Sequence, residues 1–526
     1  MSNMTRRVFT QLAAAAALTK SEWVSAGVAG PEPEVKGKVT ADPSGNAVPF
    51  NRMIFGQFLE HFHRQVYGGV FDPGSALSND KGFRLDVIEA LRELRVPIVR
   101  WPGGCFVSAY HWRDGVGKKR TPSFNKAWGV EDPNSFGTDE FVQWCRLIGA
   151  EPYICTNAGT GTEEEMSDWV EYCNLKDQGH NAKMRIENGS PEPFNVRYWS
   201  IGNENYLGGE IGAKTVDEWG PLVRESAKMM RAVDSRIKIL AAATVNGNWT
   251  PPMLRAAGKY LDYISIHGYW DPLWQHGTHP ANYLKCMSNC EAPEKQIKQA
   301  IDLLNQNGVG DRVRIAFDEW NLRGWHHPGF PGGGGDRLDL IRERDENDLN
   351  AYTMADAVFS ASFLNSCLRN ARNVEMACMA PVVNVRGPLY VHPKGIVKRT
   401  TFHVLKMYSD LLEGNVLDGT TTSDPLDTGS GTVPTLDAVI TCSSDKRRFA
   451  VALINRDPKR IAQWELSVRG FEPRKELTIT VLSGKSTDSF NDIEHANEVV
   501  PEKVSRPASA PLQLPPHSVS IVQFST

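Results

Sequence analysis

Two glutamates stand in settings that suit proton transfer and nucleophilic attack. Glu204 lies in Gly202-Asn203-Glu204-Asn205 and Glu319 in Asp318-Glu319-Trp320-Asn321, and each motif closes a short apolar run, Tyr198–Gly202 in one case and Val313–Phe317 in the other. Two carboxyls brought together from such strand ends can cleave a glycosidic bond. One protonates the leaving oxygen while the other attacks or stabilises the cationic sugar, and a separation of about 5–5.5 Å gives retention of configuration. Other chemistries find less support. His61 and His63, His276 and His279, and His326 and His327 form pairs, but their spacings lack a third ligand of strong signature, so neither a catalytic metal nor a cofactor is expected. Cys105 has no evident histidine partner and reads as a small pocket-wall residue rather than a nucleophile. The glycine run Pro331 to Gly335 is followed by no Lys-Ser/Thr and helix, so it reads as a loop and not a phosphate cradle.

The elements that must hold the two glutamates follow from hydrophobic patterning. Short apolar runs alternate with amphipathic segments for some 350 residues, the pattern of parallel strands joined by helices. The expected strands are Ile54–Phe58, Ile98–Arg100, Pro152–Thr156, Tyr198–Gly202, Ile237–Ala242, Tyr263–His267, Val313–Phe317 and Val374–Met379. Between them come helices such as Phe83–Leu94, with Phe83, Val87, Leu91 and Leu94 on one face, and Glu294–Asn307, with Pro293 near its start and Gly308 past its end. Eight strand-helix units predict an α/β fold, a (β/α)8 TIM barrel, whose active site lies at the C-terminal ends of the strands. A doubly wound sheet would want a glycine-rich nucleotide fingerprint that Gly68-Gly69 does not supply. From about Tyr390 the pattern turns to β-prone runs separated by turn residues, among them Ala438–Cys442, Phe449–Ile454, Leu477–Leu482 and Val519–Phe524. These predict a C-terminal antiparallel β-sandwich, to which Glu34–Val48 could add a strand. The expected divisions are thus 1–30, 31–50, a barrel over 51–389 and a sandwich over 390–526.

Composition narrows the partners. The 526 residues carry 58 Lys and Arg against 62 Asp and Glu, a net charge of -4, which gives no basic excess for nucleic acid or an anionic membrane. Nine cysteines are too few for a disulfide scaffold, although Cys286 and Cys290 stand close enough in sequence for one local bridge. At the N-terminus, Thr5-Arg6-Arg7-Val8-Phe9 precedes a mild apolar run, Leu12 to Leu18, and then small residues. Residues 1–30 therefore resemble a twin-arginine export signal, which implies a periplasmic or extracellular enzyme, or a cytoplasmic one if the arginines are incidental. The run is far short of the ~20 residues that a membrane span needs.

With these elements in place, the motifs are similar to those of clan A glycoside hydrolases. Phe55-Gly56-Gln57-Phe58-Leu59-Glu60-His61, Tyr67-Gly68-Gly69 and Val99-Arg100-Trp101-Pro102-Gly103-Gly104 resemble family 51 in particular, the α-L-arabinofuranosidases, with dense motifs from about Asn51 to Asn321. The resemblance implies release of terminal α-L-arabinofuranosyl residues from hemicellulose or arabinan oligosaccharides by a retaining double displacement. No metal takes part, and a homo-oligomer, often a hexamer, is implied. By the same resemblance Glu319 would be the nucleophile and Glu204 the acid and then the base. Arg100 would lie beside Glu319 and favour its charged form. Tyr269 would hydrogen-bond Glu319, Asn203 would hold the sugar 2-hydroxyl, Glu60 would bind sugar hydroxyls, and Trp128 would be a platform at the subsite wall. Two positions depart from the pattern. Arg323 stands where relatives carry Trp, and Pro381 where they carry Gln, so the leaving-group side is expected to differ. An endo-acting glucanase or xylanase of the same clan, and a non-catalytic carbohydrate-binding barrel, remain as alternatives, the second weakened by the presence of both carboxylates.

Overall fold

The structure is a computed structural model and describes residues 34–271, 282–324, 352–469 and 476–525. The export motif at Arg6-Arg7, the glycine run 331–335, Trp325 and the histidines at 276, 279, 326 and 327 lie outside the described residues.

Eight strands close a parallel barrel in which each pairs with its neighbours in chain order: β1 (Gly56–Phe58), β2 (Ile98–Trp101), β3 (Glu151–Thr156), β4 (Tyr198–Ile201), β5 (Lys238–Ala242), β6 (Tyr263–Asp271), β7 (Arg314–Arg323) and β8 (Val374–Met379). These are the eight apolar runs read from the sequence. They are continuous rather than alternating because a barrel strand is buried on both sides, by the interior layers and by the surrounding helices. Two differ in length. Strands β6 and β7 run several residues past their apolar portions, β6 to Asp271 and β7 to Arg323, and this carries polar side chains of both strands into the active-site mouth. Strand β1 is shortened by a 3-10 turn, Arg52–Phe55, in which the Asn51 side chain accepts from the Met53 N–H.

Helix α1 (Leu85–Leu94) buries Val87, Ile88, Leu91 and Leu94 and ends at Arg95, which is in the left-handed conformation. Helix α2 (Ala292–Gln306) has Pro293 in its first turn, where a missing N–H costs no hydrogen bond. Helix α3 (Met354–Arg369) is buried over nearly its whole length, because it is covered by the barrel on one side and by the sandwich on the other. The helix that completes the eighth unit, α4 (Thr400–Leu411), lies beyond residue 389 and leans on α1, with the Ser409 hydroxyl bonded to the carbonyl of Leu94.

The C-terminal part is a sandwich of a seven-stranded and a four-stranded sheet. The N-terminal segment supplies a strand to each. Ala47–Pro49 pairs with Asn415–Leu417 in the larger sheet, and Val35–Ala41 enters the smaller one between Gly419–Ser423 and Ala462–Val468. The pairing of Val35–Ala41 with Ala462–Val468 is parallel, the exception in an otherwise antiparallel sandwich. A strand arriving from the far end of the chain is free of the hairpin constraint that forces neighbours to be antiparallel. Sandwich and barrel are joined by buried charge. Arg456, fully buried, donates to Glu291, Asp437 and Ser362, and Arg369 donates to Glu294 and Asp437. Cys286 and Cys290 are not bridged by a disulfide.

Candidate active site

Arg100, on the last turn of β2, organises the floor of the barrel mouth. Its side chain has no solvent exposure, and its planar fork serves two partners at once: Nη1 donates to Glu319 Oε2 at 2.7 Å and Nη2 to Asn203 Oδ1 at 2.7 Å. Nε faces Asp318 Oδ2 at 3.4 Å. Successive side chains point to opposite sides of a strand, so Asp318 and Glu319 leave β7 in different directions, and Arg100 reaches both. Burial works against a charge on Asp318, but Arg100 and then His267 outweigh it and hold its carboxyl below the usual range, with Tyr153 and Ser265 donating to its two oxygens at 2.5 and 2.7 Å.

Glu319 takes a second short bond from the Tyr269 hydroxyl, 2.7 Å to Oε1. Burial and then the charge of Glu319 push the Tyr269 phenol well up, so it stays a proton donor. His267, two residues earlier on β6, lies between the two glutamates. Its Nδ1 is 2.9 Å from Glu204 Oε1 and 3.5 Å from Glu319 Oε2, while Nε2 is 3.6 Å from Asp318 Oδ1. Burial disfavours charge on this ring, but Glu319 first, then Asp318 and Glu204, push it up to about 10, so it is an imidazolium at neutral pH.

Glu204 follows β4 in a tight turn. Gly202 has φ +70, and a Cβ there would meet Asn205 Oδ1 at 2.1 Å and the Trp219 ring at 2.7 Å. Glu204 itself has φ 45, in the left-handed region that a side chain rarely adopts, at a cost on the order of 1 kcal/mol. That conformation turns the carboxyl back over the barrel, where the Tyr206 hydroxyl is 3.3 Å from Oε1. An oxygen of Glu204 comes within 4.8 Å of one of Glu319, close to the roughly 5–5.5 Å of retaining glycosidases and short of the roughly 6.5–9.5 Å that leaves room for a water in inverting ones. A cavity of about 470 Å³ opens beside the pair, lined by Glu204, Tyr206, His267, Tyr269, Trp270 and Gln296 among others.

Two family models match the chain, the α-L-arabinofuranosidase 1 domain over residues 90–285 and the α-L-arabinofuranosidase C-terminal domain over residues 318–518. Among curated proteins, the chain is 32% identical to alpha-L-arabinofuranosidase C of Emericella nidulans, over 92% of this chain and 97% of that one. It is 38% identical to a probable alpha-L-arabinofuranosidase C of Aspergillus clavatus, over 69% and 72%. Among solved structures, the α-L-arabinofuranosidase of Thermotoga maritima in complex with arabinose superposes with a TM-score of 0.83 at 30% identity, over 93% of this chain and all of that one. The family 51 arabinofuranosidase of Xanthomonas axonopodis pv. citri superposes at 0.82 with 27% identity, over 94% of this chain and all of that one. The chain belongs to glycoside hydrolase family 51. It is accordingly a glycoside hydrolase of the arabinofuranosidase class, on a (β/α)8 barrel with a C-terminal sandwich.

In this family 51 enzyme, Glu204, Glu319, Arg100, Asn203 and Tyr269 converge at one point, and Glu60, Cys105 and Trp128 stand around it. Glu60 is buried, and its Oε1 accepts from the Phe106 N–H at 2.8 Å and from Trp128 Nε1 at 2.9 Å. Burial and then Glu319 push its carboxyl well up, so Glu60 can donate as well as accept. It approaches the β2 loop so closely that a Cβ at Gly103, where φ is +135, would lie 2.1 Å from Glu60 Cγ. Trp128 is not an open platform. Its ring stacks on Phe62 with centroids 3.9 Å apart, only 1% exposed, and its indole N–H steers Glu60. Cys105 donates to Glu210 Oε1 at 2.7 Å, and burial followed by Glu210 pushes its thiol well up, so it carries no thiolate.

The expectation that Arg323 shapes the leaving-group side is corrected. Arg323 has no solvent exposure and is paired with Asp356 of α3 at 2.7 Å, because the extension of β7 carries it behind the mouth and into the helix layer. At the second departure, Pro381 follows Ala380, whose carbonyl accepts from Asn321 Nδ2 at 2.8 Å, while the nearby Asn384 bonds main-chain groups of Arg64 and Val391. Both ring nitrogens of His61 have protein partners. Its Nδ1 lies 2.6 Å from Asp132 and its Nε2 accepts from Trp101. Among the described residues, the donor groups close enough to share an ion are Cys105, Glu204 and Glu210, and Glu204, His267 and Glu319. Sequence reading passed over His267, Asp318 and Glu210. A signal existed for the first, since His267 and Tyr269 are two apart on one strand and therefore share a face.

Proposed function

We propose that the chain is a retaining exo-acting α-L-arabinofuranosidase in which Glu319 is the nucleophile and Glu204 the acid and then the base. The observation that carries this reading is the approach of the two carboxyls to within 4.8 Å, with Arg100 and Tyr269 both bonded to Glu319. In the first step, Glu319 attacks the anomeric carbon while Glu204 protonates the departing oxygen. In the second, Glu204 takes the proton of a water that displaces the sugar from Glu319. Asn203, held by Arg100, presents its amide to the 2-hydroxyl, Glu60 binds sugar hydroxyls, and Cys105 closes the wall. His267 bridges the two carboxylates and fixes their separation. Arabinan or arabinoxylan oligosaccharides, whose terminal furanosyl residues fit a cavity of this size, are the proposed substrates.

A panel of aryl glycosides tests the reading. The α-L-arabinofuranoside should exceed the β-D-xyloside and β-D-glucoside in kcat/KM by at least roughly tenfold, on the order of 1.4 kcal/mol of transition-state binding. A better β-D-glucoside would move the function to the endo-acting alternative. The same reading takes residues 1–30 as a twin-arginine export signal, and Arg6→Lys with Arg7→Lys should hold the enzyme in the cytoplasm; equal export of the double variant removes the signal. It also includes assembly into a hexamer, which light scattering would report as six times the chain mass.

A further inference from the structure

Among the described residues, β6 pairs with β5 only through Tyr263–Ser265, while on its other side the pairing with β7 continues to Asp271 and Arg323. The cavity of about 470 Å³ opens along the edge of β6 that is left free. Glu204 lines it from the β4 loop, Asn246 from the β5 loop, Gln296 from α2 and Trp270 from β6, whereas Glu319 does not border it. The cavity therefore extends outward from the carboxyl pair on the side of Glu204.

Trp270 is a half-buried wall of this cavity, and its ring is held from two directions. Side chains two apart on a strand share a face, and the indole lies back over Gly268, where a Cβ would come within 2.5 Å of Cζ2 and 2.7 Å of Cη2. Behind it stand Phe317 of β7 and Phe359 and Phe363 of α3, with ring centroids 5.9, 5.2 and 6.1 Å away. The other described tryptophans either donate their indole N–H within the protein or enclose it without a partner. That of Trp270 has no partner among the described residues and is not enclosed, so the side chain offers a free donor as well as an apolar face.

We propose that Trp270 binds the leaving-group sugar, a pyranosyl ring stacked on the indole, and so directs the enzyme to arabinofuranosyl side chains carried on a pyranose main chain such as the xylan of arabinoxylan. This rests on Glu204 being the acid/base, since the proton donor marks the side on which the leaving group departs. With Arg323 turned to Asp356, the aromatic wall comes from β6 rather than from β7. An indole is a flat apolar plate with a polar edge. A β-xylopyranosyl ring carries all its hydroxyls equatorially, so each face is a layer of axial C–H groups and the rim can accept from the indole N–H. An arabinofuranosyl ring is smaller and puckered, with substituents on both faces, and covers less of the plate. Across the cavity, Gln296 is pinned by its bond to the His267 carbonyl at 2.7 Å and adds an amide that can bond a sugar hydroxyl.

The test compares two substrates on one enzyme preparation: xylobiose bearing a single α-1,3-linked arabinofuranosyl residue, and methyl α-L-arabinofuranoside, whose leaving group has no ring. In Trp270→Ala, the ratio of kcat/KM on the first to that on the second should fall at least about tenfold. In Trp270→Phe, which keeps an aromatic face, it should fall by less. Both substrates meet the same folded fraction, so loss of folded enzyme cancels in the ratio, and Trp270→Phe serves if Trp270→Ala yields no soluble protein. A ratio within about twofold of the parent's in every variant obtained overturns the proposal and makes Trp270 a support of the fold. α-1,5-Linked arabinobiose is run alongside, and its ratio to the methyl glycoside should fall less than that of the xylobiose derivative. A larger fall would overturn the choice of a pyranose. A parent enzyme inactive on all three substrates overturns the arabinofuranosidase reading and this proposal with it, an outcome separate from any change at Trp270.

Discussion

Replacing Arg100 by Lys leaves a positive charge in the barrel mouth but removes the fork. The guanidinium bonds Glu319 and Asn203 through different nitrogens, both at 2.7 Å, and faces Asp318 through a third at 3.4 Å. A lysine ammonium is a single point of charge on a flexible stem and cannot reproduce that planar, two-directional geometry. One of the two short bonds is therefore lost, and each charge-assisted bond is worth about 1.5–3 kcal/mol. The partner left behind is buried, since Asn203 has no exposure, so the total is on the order of 2–4 kcal/mol in transition-state binding. At about 1.36 kcal/mol per tenfold, kcat/KM on an aryl α-L-arabinofuranoside should fall roughly 30- to 900-fold. A cycle with Asn203→Ala isolates the shared part. If Arg100 works by orienting Asn203 as well as Glu319, Arg100→Lys should cost markedly less when Asn203 is already Ala, a coupling of about 1 kcal/mol or more. Calorimetry on each variant checks that the fold is intact. A loss below tenfold in a folded Arg100→Lys, or strict additivity with Asn203→Ala, would refute the claim that the fork builds the site.

Trp128→Phe keeps the stack on Phe62 but removes the indole donor to Glu60, and should lower kcat/KM by about 1–2 kcal/mol, roughly 5- to 30-fold, with little change in thermal midpoint. Arg323→Met removes one buried charge-assisted bond to Asp356, so unfolding should become easier by about 1.5–3 kcal/mol in denaturant titrations, while the ranking of aglycones stays as in the parent. The folded-state carboxyl of Glu210 is raised to about 8, which means its contribution to stability is complete below the ordinary carboxylate range and is lost as pH rises toward 8. Glu210→Gln should therefore match the parent in thermal midpoint near pH 5 and exceed it near pH 9.

The barrel was legible because its strands are buried on both sides and read as unbroken apolar runs, from Ile98 in β2 to Val374 in β8. The extensions of β6 through Tyr269 and of β7 through Asn321 were not, because their polar side chains are buried only by virtue of one another. Asp318 looks like a loop residue until Arg100, Tyr153 and Ser265 are seen around it. Glu204, Glu319, Arg100, Asn203 and Tyr269 could be found because each sits in a short motif at a strand end. Glu210 could not, since it lies on an irregular loop and its environment is made by Cys105, a residue far away in the chain. Arg323 was misplaced for the converse reason. Its sequence position next to the Glu319 motif points to the mouth, but the continued β7 ladder carries it to Asp356 of α3.

The division of roles between the two glutamates is tested most directly by azide rescue of Glu204→Ala on 2,4-dinitrophenyl α-L-arabinofuranoside, with the anomeric configuration of the glycosyl azide read by NMR. With Glu319 as nucleophile, the glycosyl-enzyme still forms and azide displaces it without base assistance, so turnover should rise with azide and the product should be the α-azide, of retained configuration. Glu319→Ala should yield no α-azide. An inverted β-azide from Glu204→Ala, or a retained α-azide from Glu319→Ala, would contradict the assignment.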